Sequence, residues 1–135
     1  MSVIVGGYSN YICCSTDVVI AGWGNCACCA TDSAIISGYN NRIECIAYSS
    51  IIGGGDNRIC CGSNYSSIIG GRNNQIYRSD SATIIGNDSH YIGLTSSCAA
   101  IFAGQNVTIL NSPGSSTIGS LNSCICNSFN SMIIG

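Results

Sequence analysis

Pairs of adjacent aliphatic residues recur along the whole chain at a nearly constant spacing. The steps between the first members of successive pairs are 15, 16, 16, 17, 16, 17, 16 and 16 residues. Such regular self-similarity is typical of repeat architectures, in which each repeat forms one structural unit stacked on the next. The first members are Ile4, Val19, Ile35, Ile51, Ile68, Ile84, Ile101, Thr117 and Ile133.

The remainder of each repeat contains small residues, polar residues and one further apolar position. In one repeat, Ile51-Ile52 is followed by Gly53-Gly54, and Asn57 precedes the isolated Ile59. β-Branched residues bounded by Gly and Asn favour strands over helices, and Gly and Asn supply the positive φ that tight corners require. The pattern therefore predicts an all-β fold with two short strands and two corners per repeat. We expect a narrow parallel β-solenoid of about eight coils, forming a single domain over residues 1–135 and a rod roughly 40 Å long.

Asparagine occupies the same position in five successive repeats. Stacked coils would place these side chains above one another, where amides can pass hydrogen bonds from coil to coil. The predicted asparagine ladder consists of Asn10, Asn25, Asn41, Asn57 and Asn74. His90 takes this position in the next repeat, which indicates a turn residue rather than a catalytic histidine.

Both members of the aliphatic pair are apolar in nearly every repeat. Neighbouring residues on a strand point to opposite faces, so both faces of this sheet should be shielded from water. One face covers the interior of the coil, and we expect further copies of the chain to cover the other. The residues of this predicted oligomer ribbon are Ile4, Val5, Val19, Ile20, Ile35, Ile36, Ile51, Ile52, Ile68, Ile69, Ile84, Ile85, Ile101, Phe102, Ile118, Ile133 and Ile134.

Charge is scarce, which excludes several classes of function. Charged residues are 7% of the chain, Lys is absent and the formal net charge is −2. Nucleic-acid binding needs clusters of Lys and Arg, and no apolar run reaches the length of a membrane span. No signal peptide is visible after Met1. We therefore expect no nucleic acid, no membrane insertion, and a location in a virion or on an extracellular surface, with release by lysis.

The chain contains 11 cysteines, an odd number. Four of them, Cys14, Cys29, Cys45 and Cys61, recur at one position of the repeat, two places after the isolated apolar residue. Stacking would bring them within disulfide distance, but small apolar filler facing the interior is the favoured interpretation. Metal binding is disfavoured because His90 is the only histidine, and no cofactor is expected.

Material for catalysis is sparse. No cysteine has an evident paired base, Glu44 is the only glutamate, and a phosphate-binding loop of the Walker type would need Lys. We therefore predict that the chain is not an enzyme and has neither a catalytic residue nor a metal ligand.

The repeated pattern Ser-x-Ile-Ile-Gly-Gly-x-x-Asn-x-Ile, complete at 49–59 and 66–76, resembles the heads of YadA-like trimeric adhesins and the fibre repeats of phages and giant viruses. The resemblance covers essentially the whole chain and implies a left-handed β-roll and a trimeric shaft. The chain differs from the bacterial heads in its longer period of about 16 residues, its Ile pairs and its many cysteines.

Three aromatic residues share one corner position in the first repeats, namely Tyr8, Trp23 and Tyr39. This aromatic stripe predicts a contact with a host-surface glycan, a receptor protein or a neighbouring chain.

Together these observations predict a structural shaft protein of a virus, phage or cell-surface adhesin. Two alternatives are a self-assembling filament and an ice-binding solenoid, although the latter needs a regular Thr-rich face. The chain stops in mid-coil at Ile133-Ile134-Gly135, so we expect either a piece of a longer fibre chain or ends that stack on other subunits.

Overall fold

The regular structure is all β, with strands that alternate between two parallel sheets. The computed structural model describes residues 1–135, apart from the side chain of Val19. The nine strands of the first sheet are β1 (Val3–Ile4), β3 (Val19–Ile20), β5 (Ala34–Ile36), β7 (Ser50–Ile52), β9 (Ser67–Ile69), β11 (Thr83–Ile85), β13 (Ala100–Phe102), β15 (Ser116–Ile118) and β17 (Met132–Ile134). The eight strands of the second sheet are β2 (Tyr11–Cys13), β4 (Cys26–Thr31), β6 (Arg42–Ala47), β8 (Arg58–Cys60), β10 (Gln75–Tyr77), β12 (Tyr91–Gly93), β14 (Thr108–Leu110) and β16 (Cys124–Cys126).

Each strand pairs in parallel with its counterpart one repeat earlier and one repeat later. Ile51 lies opposite Ile68 between β7 and β9, and Ile59 lies opposite Ile76 between β8 and β10. Every pairing therefore joins residues about one repeat apart, which is the topology of a solenoid. The predicted all-β parallel solenoid of about eight coils, with short strands in each coil, is confirmed.

In most coils the core contains one aliphatic residue from each sheet, and β4 and β6 each add a second one, Ala30 and Ile46. In the interior coils, the first member of the pair and the isolated apolar residue, such as Ile51 and Ile59, are fully buried. Each coil buries only a few side chains, so its stability depends on the coils above and below.

In the second coil, the strand register places the first member of the apolar pair one residue later than the sequence pattern predicted. The sequence pattern assigned Val19 as first member of its pair, but β3 aligns Ile4 with Ile20 and Ile20 with Ile35. The run Val18-Val19-Ile20 contains two overlapping apolar pairs, and Val18 and Ile20 are both fully buried. The side chain of Val19, assigned above to the oligomer ribbon, lies outside the described residues.

The corners are more numerous than the two per coil that the sequence pattern predicted. In one coil, positive φ occurs at Ser37, Gly38, Asn40, Cys45 and Tyr48. The second glycine of the Gly pair lies closest to the next coil. There, Gly54 has φ +78°, and a Cβ at this position would clash with the carbonyl oxygen of Gly71 in the next coil. The chain thus turns at three places per coil, which lets about 16 residues close around a core two side chains wide.

Candidate functional site

The outer face of the first sheet carries a column of exposed apolar side chains. These are the second members of the pairs, and their exposed fractions are 50% for Ile36, 41% for Ile52, 38% for Ile69, 40% for Phe102 and 43% for Ile118. Because they occupy the same strand position, the parallel register stacks them along the rod.

The first members of the pairs cannot take part in this surface. Alternation along each strand turns them into the chain's own core, where they are fully buried. The predicted oligomer ribbon is corrected accordingly for Ile20, Ile35, Ile51, Ile68, Ile84 and Ile101, each 0% exposed. We call the remaining column the exposed ribbon; it consists of Ile36, Ile52, Ile69, Phe102, Ile118 and Ile134, together with the half-buried Ile85.

The end coils differ from this division. Ile4 and Val5 of the first coil are both exposed, as is Ile134 of the last. Ile133 is partly buried against the core.

A column of small residues runs beside the exposed ribbon on the same face. It is formed by the first residues of the strands β5 to β15 of this sheet, such as Ala34, Ser50 and Ser67, which are half-buried. None of the strands of the first sheet contains a charged residue. By contrast, the second sheet has Arg42 and Arg58 on its outer face, both paired with Glu44. Only the first sheet thus has an uncharged outer face, on which the exposed ribbon forms a ridge and the column of small residues forms a groove.

The predicted asparagine ladder is present, with the backbone as hydrogen-bond partner. The Asn57 side-chain oxygen accepts from the backbone N–H of Asn74 at 3.0 Å, and its amide nitrogen donates to the carbonyl of Gly71 at 3.0 Å. Asn25 and Asn41 are bonded in the same way, and Asn10 starts the ladder by accepting from Asn25 N–H at 3.0 Å. Each amide therefore ties its own coil to the next.

His90 continues this ladder, as predicted for a turn residue. Its backbone N–H donates to Asn74, and its Nδ1 accepts from the N–H of Val107 at 3.3 Å. The imidazole is buried, and Nε2 has no hydrogen-bond partner among the described residues. Burial lowers the pKa of His90, against smaller opposing effects of the Asp88 charge and the Gly104 backbone. The imidazole therefore acts as a neutral acceptor.

Two serine ladders were missed by the sequence interpretation. In each, a buried hydroxyl accepts the backbone N–H of the next coil. Ser63 and Ser79 are bonded to the following coil at 3.2 and 3.1 Å, and Ser49 accepts from Ser66 at 3.1 Å. The available signal was serine recurring at the repeat period. The members of the first ladder are Ser63, Ser79, Ser96, Ser112 and Ser128.

The aromatic stripe forms a corner column. Tyr8, Trp23 and Tyr39 are joined by parallel bridges, with exposed fractions of 72%, 54% and 38%. A Cβ on Gly55 in the next coil would clash with the Tyr39 ring, so the ring lies over the bare backbone of Gly55.

The same corner column continues along the rod with polar residues and a cavity. Arg72 and Asp88 follow in the column and form an ion pair at 3.2 Å. Beyond them lies a cavity of about 660 Å³, whose lining includes Asp88, Gln105 and Leu121. One edge of the solenoid thus combines flat aromatic surfaces, hydrogen-bonding groups and a concavity.

The four recurring cysteines are exposed, which corrects the expectation that they fill the interior. Cys14, Cys29, Cys45 and Cys61 have φ between 48° and 61°, so the strand turns at this position and alternation no longer directs the side chain inward. All four are free thiols. Their neighbours Cys13 and Cys28 are half-buried, whereas Cys60 is buried. Burial, followed by the nearby Cys61 thiol, raises the pKa of Cys60 to about 11.

Cys124 and Cys126 are joined by a disulfide within β16. No group of three or more His, Cys, Asp or Glu side chains in the described residues is arranged to hold a metal ion. The described residues likewise form no helix that is long and apolar enough to cross a membrane.

The stacked parallel coils place the chain among parallel β-solenoid repeat proteins. No protein-family model matches the chain, and no curated protein matches it in sequence. Among solved structures, it is similar to the polySia specific acetyltransferase NeuO at 16% sequence identity, with a TM-score of 0.29. The match covers 99% of this chain and 80% of that chain. At this TM-score the likeness carries no argument about activity, and the absence of enzyme activity stays a prediction.

Proposed function

We propose that the chain is a structural shaft protein that self-associates along the exposed ribbon, with three chains around one axis. The exposed ribbon supports this proposal most directly. It is a continuous apolar column on an uncharged sheet face, and a single coil is too narrow to cover it with its own residues. The virion, phage-fibre or adhesin setting, and membership in a fibre family, are part of the same proposal.

A second copy of the chain fits this face for a geometric reason. The exposed ribbon repeats once per coil, so a parallel copy has the same repeat and can match every ridge at once. The half-buried column of small residues provides the groove beside each ridge. Burying a half-exposed aliphatic side chain contributes about 1 kcal/mol, and the exposed ribbon offers several along each chain.

The oligomeric state tests the proposal. We expect the protein to sediment as a trimer, and the double variant Ile52→Asn/Ile69→Asn to sediment as a folded monomer. Leu110→Asn is the matched control, because Leu110 is a half-buried apolar residue in the second sheet; this variant should remain trimeric. A monodisperse wild-type monomer would refute self-association, whereas an open-ended size distribution would favour the filament instead.

The aromatic stripe supports a second role, binding of a glycan chain at the corner of the shaft. Stacked rings can lie against sugar faces, and Arg72 and Asp88 offer hydrogen-bonding groups further along. Trp23 is the only tryptophan, so its fluorescence reports directly on this surface. Titration with glycans should shift its emission, and Tyr39→Ala should abolish the shift. An emission spectrum that does not change with any glycan class would refute glycan binding, and the aromatic stripe would then be assigned to contacts between chains.

A further inference from the structure

Six cysteines in the first four coils stand in two adjacent columns. The inner thiol column contains Cys13 and Cys28, which are direct partners in the register of β2 and β4. The outer thiol column contains Cys14, Cys29, Cys45 and Cys61, each of which lies two residues after the isolated apolar residue of its coil. Cys60 belongs to the inner position as well, but Glu44 lies between it and Cys28 in the register.

The spacing of these columns suits disulfides between successive coils. Paired strands lie about 4.8 Å apart, which falls within the Cα separation that disulfides adopt. The outer cysteines share nearly the same backbone conformation, with φ of 48°, 52°, 53° and 61°. Their side chains therefore leave the backbone in similar directions, so that each thiol has a thiol of the next coil beside it.

The thiols are close enough to affect one another. The sulfur atoms of Cys13 and Cys14 are 3.5 Å apart. Hydrogen bonds from Tyr11, Cys14 and Cys28 lower the pKa of Cys13. The pKa of Cys28 is raised to about 12, chiefly by its hydrogen bond with Cys13. Cys13, the thiol with the lowered pKa, thus stands next to Cys28, its direct partner in the strand register.

We propose that the two columns are a site of oxidative modification, in which a small-molecule disulfide such as oxidised glutathione converts them into the cross-coil disulfides Cys13–Cys28, Cys14–Cys29 and Cys45–Cys61. These bonds link the first coil to the second and the third to the fourth. Cys60 stays a thiol because Glu44 separates it from the rest of its column. This proposal does not depend on the function proposed above.

The chemistry is two successive exchanges. The Cys13 thiolate attacks one sulfur of oxidised glutathione, forming a mixed disulfide and releasing one glutathione thiolate. The Cys28 thiol loses its proton to solvent, and its sulfur attacks the Cys13 sulfur, which releases the second glutathione. Two protein thiols are oxidised by two electrons in total, and one glutathione disulfide is reduced to two thiols. The same exchange forms the two outer bonds.

The pair in the third and fourth coils gives the sharpest test. Trypsin cleaves after Arg42, Arg58 and Arg72, so Cys45 lies in the peptide 43–58 and Cys61 in the peptide 59–72, together with Cys60. The full chain is oxidised with oxidised glutathione, blocked with N-ethylmaleimide, digested and mapped by mass spectrometry without reduction. We expect the two peptides to be linked in the wild type and in Cys60→Ser, but not in Cys61→Ser.

Thermal unfolding provides a second measurement. Each proposed bond closes a loop of about 15 residues, so oxidation should raise Tm by on the order of 10 °C, reversibly on reduction. The combined variant Cys14→Ser/Cys28→Ser/Cys45→Ser leaves no two thiols in adjacent coils of either column and should lose this shift, and its three positions are at the surface or half-buried. Three results would overturn the proposal: thiols that stay alkylatable after oxidation, persistence of the link in Cys61→Ser, or links only between separate chains.

Discussion

At the scale of single residues, three buried side-chain atoms differ from the hydrogen-bonded asparagines and serines of the ladders. Thr117 Oγ1, Ser120 Oγ and His90 Nε2 have no hydrogen-bond partner among the described residues. An unsatisfied buried polar atom costs about 1–3 kcal/mol. All three lie in the later coils, where the repeat also departs from Ile and Asn.

Thr117 replaces isoleucine in the column between Ile101 and Ile133. Thr117→Val removes the unpaired hydroxyl and keeps the shape, so we expect stability to rise by about 1 kcal/mol in chemical denaturation. The matched control is Ser115→Ala, because the Ser115 hydroxyl accepts from Ser131 N–H at 3.0 Å and donates to Ser128 at 3.3 Å. That variant should be destabilised, and equal effects of the two would contradict this interpretation.

His90 should make the stability of the solenoid depend on pH. Its folded pKa is lowered from 6.5 by burial, so the unfolded chain binds the proton at a higher pH than the folded chain. This contribution is fully present above about pH 6.5 and is lost as the pH falls through the folded pKa. Protonation also places a donor against Val107 N–H. Asp88 is the charged neighbour that opposes the shift.

The measurement is the free energy of unfolding between pH 7.5 and 5 for the wild type and His90→Asn. Asparagine fits the ladder position and does not titrate, so this variant should lose most of the pH dependence in that range. Identical pH profiles would show that other groups control it. His90 is the only histidine, which keeps the comparison simple.

At the scale of elements, the asparagine and serine ladders provide hydrogen-bond acceptors for backbone N–H groups at the corners, where strand pairing provides none. The backbone N–H groups at these turns lie in the interior, where an unpaired donor is costly. A side-chain oxygen from the preceding coil accepts each of them, as Asn57 does for Asn74 and Ser49 for Ser66. The corners are thus bonded along the rod as continuously as the sheets.

Asn57→Ala should show this directly. It leaves the buried Asn74 N–H without its acceptor and removes one of the two donors to the Gly71 carbonyl, which keeps Gly55 N–H, so we expect a loss of about 1–3 kcal/mol in unfolding free energy. Gln75→Ala is the control, because it removes a carboxamide from the outward side of a nearby strand and should change stability by less than about 0.5 kcal/mol. Similar losses in both variants would mean that the ladder contributes little.

At the scale of the whole molecule, the solenoid is a one-dimensional stack. Each coil contacts only its neighbours, and an interior coil has two of them whereas an end coil has one. Burial follows this order: Ile4 is 47% exposed, but the corresponding Ile51, Ile68 and Ile84 are fully buried.

Hydrogen exchange should therefore be graded along the rod. We expect the amides of β1 and β2 to exchange much faster than those of β7 to β12, because end coils open without disrupting the centre. Mass spectrometry on peptides from each coil measures this gradient. Uniform protection from the first coil to the last would show all-or-none opening instead.

The sequence alone determined the coil, because Ile pairs, Gly pairs and Asn at a constant period admit few structures other than stacked parallel strands. It also determined the asparagine ladder, since the side chain and its spacing define the contact. The serine ladders were less evident, because serine is frequent in this chain and only some serines are buried.

The tertiary structure decided which residues face outward. In the run Val18-Val19-Ile20, two overlapping pairs satisfy the sequence pattern, and only pairing with β1 and β5 selects Ile20. The recurring cysteines lie two places after a buried residue, so simple alternation directs them inward; the left-handed turn at Cys45 and its equivalents directs them outward. Side-chain type recurs with the repeat and can be read from the sequence, whereas side-chain direction depends on backbone angles that are set only when the coils stack.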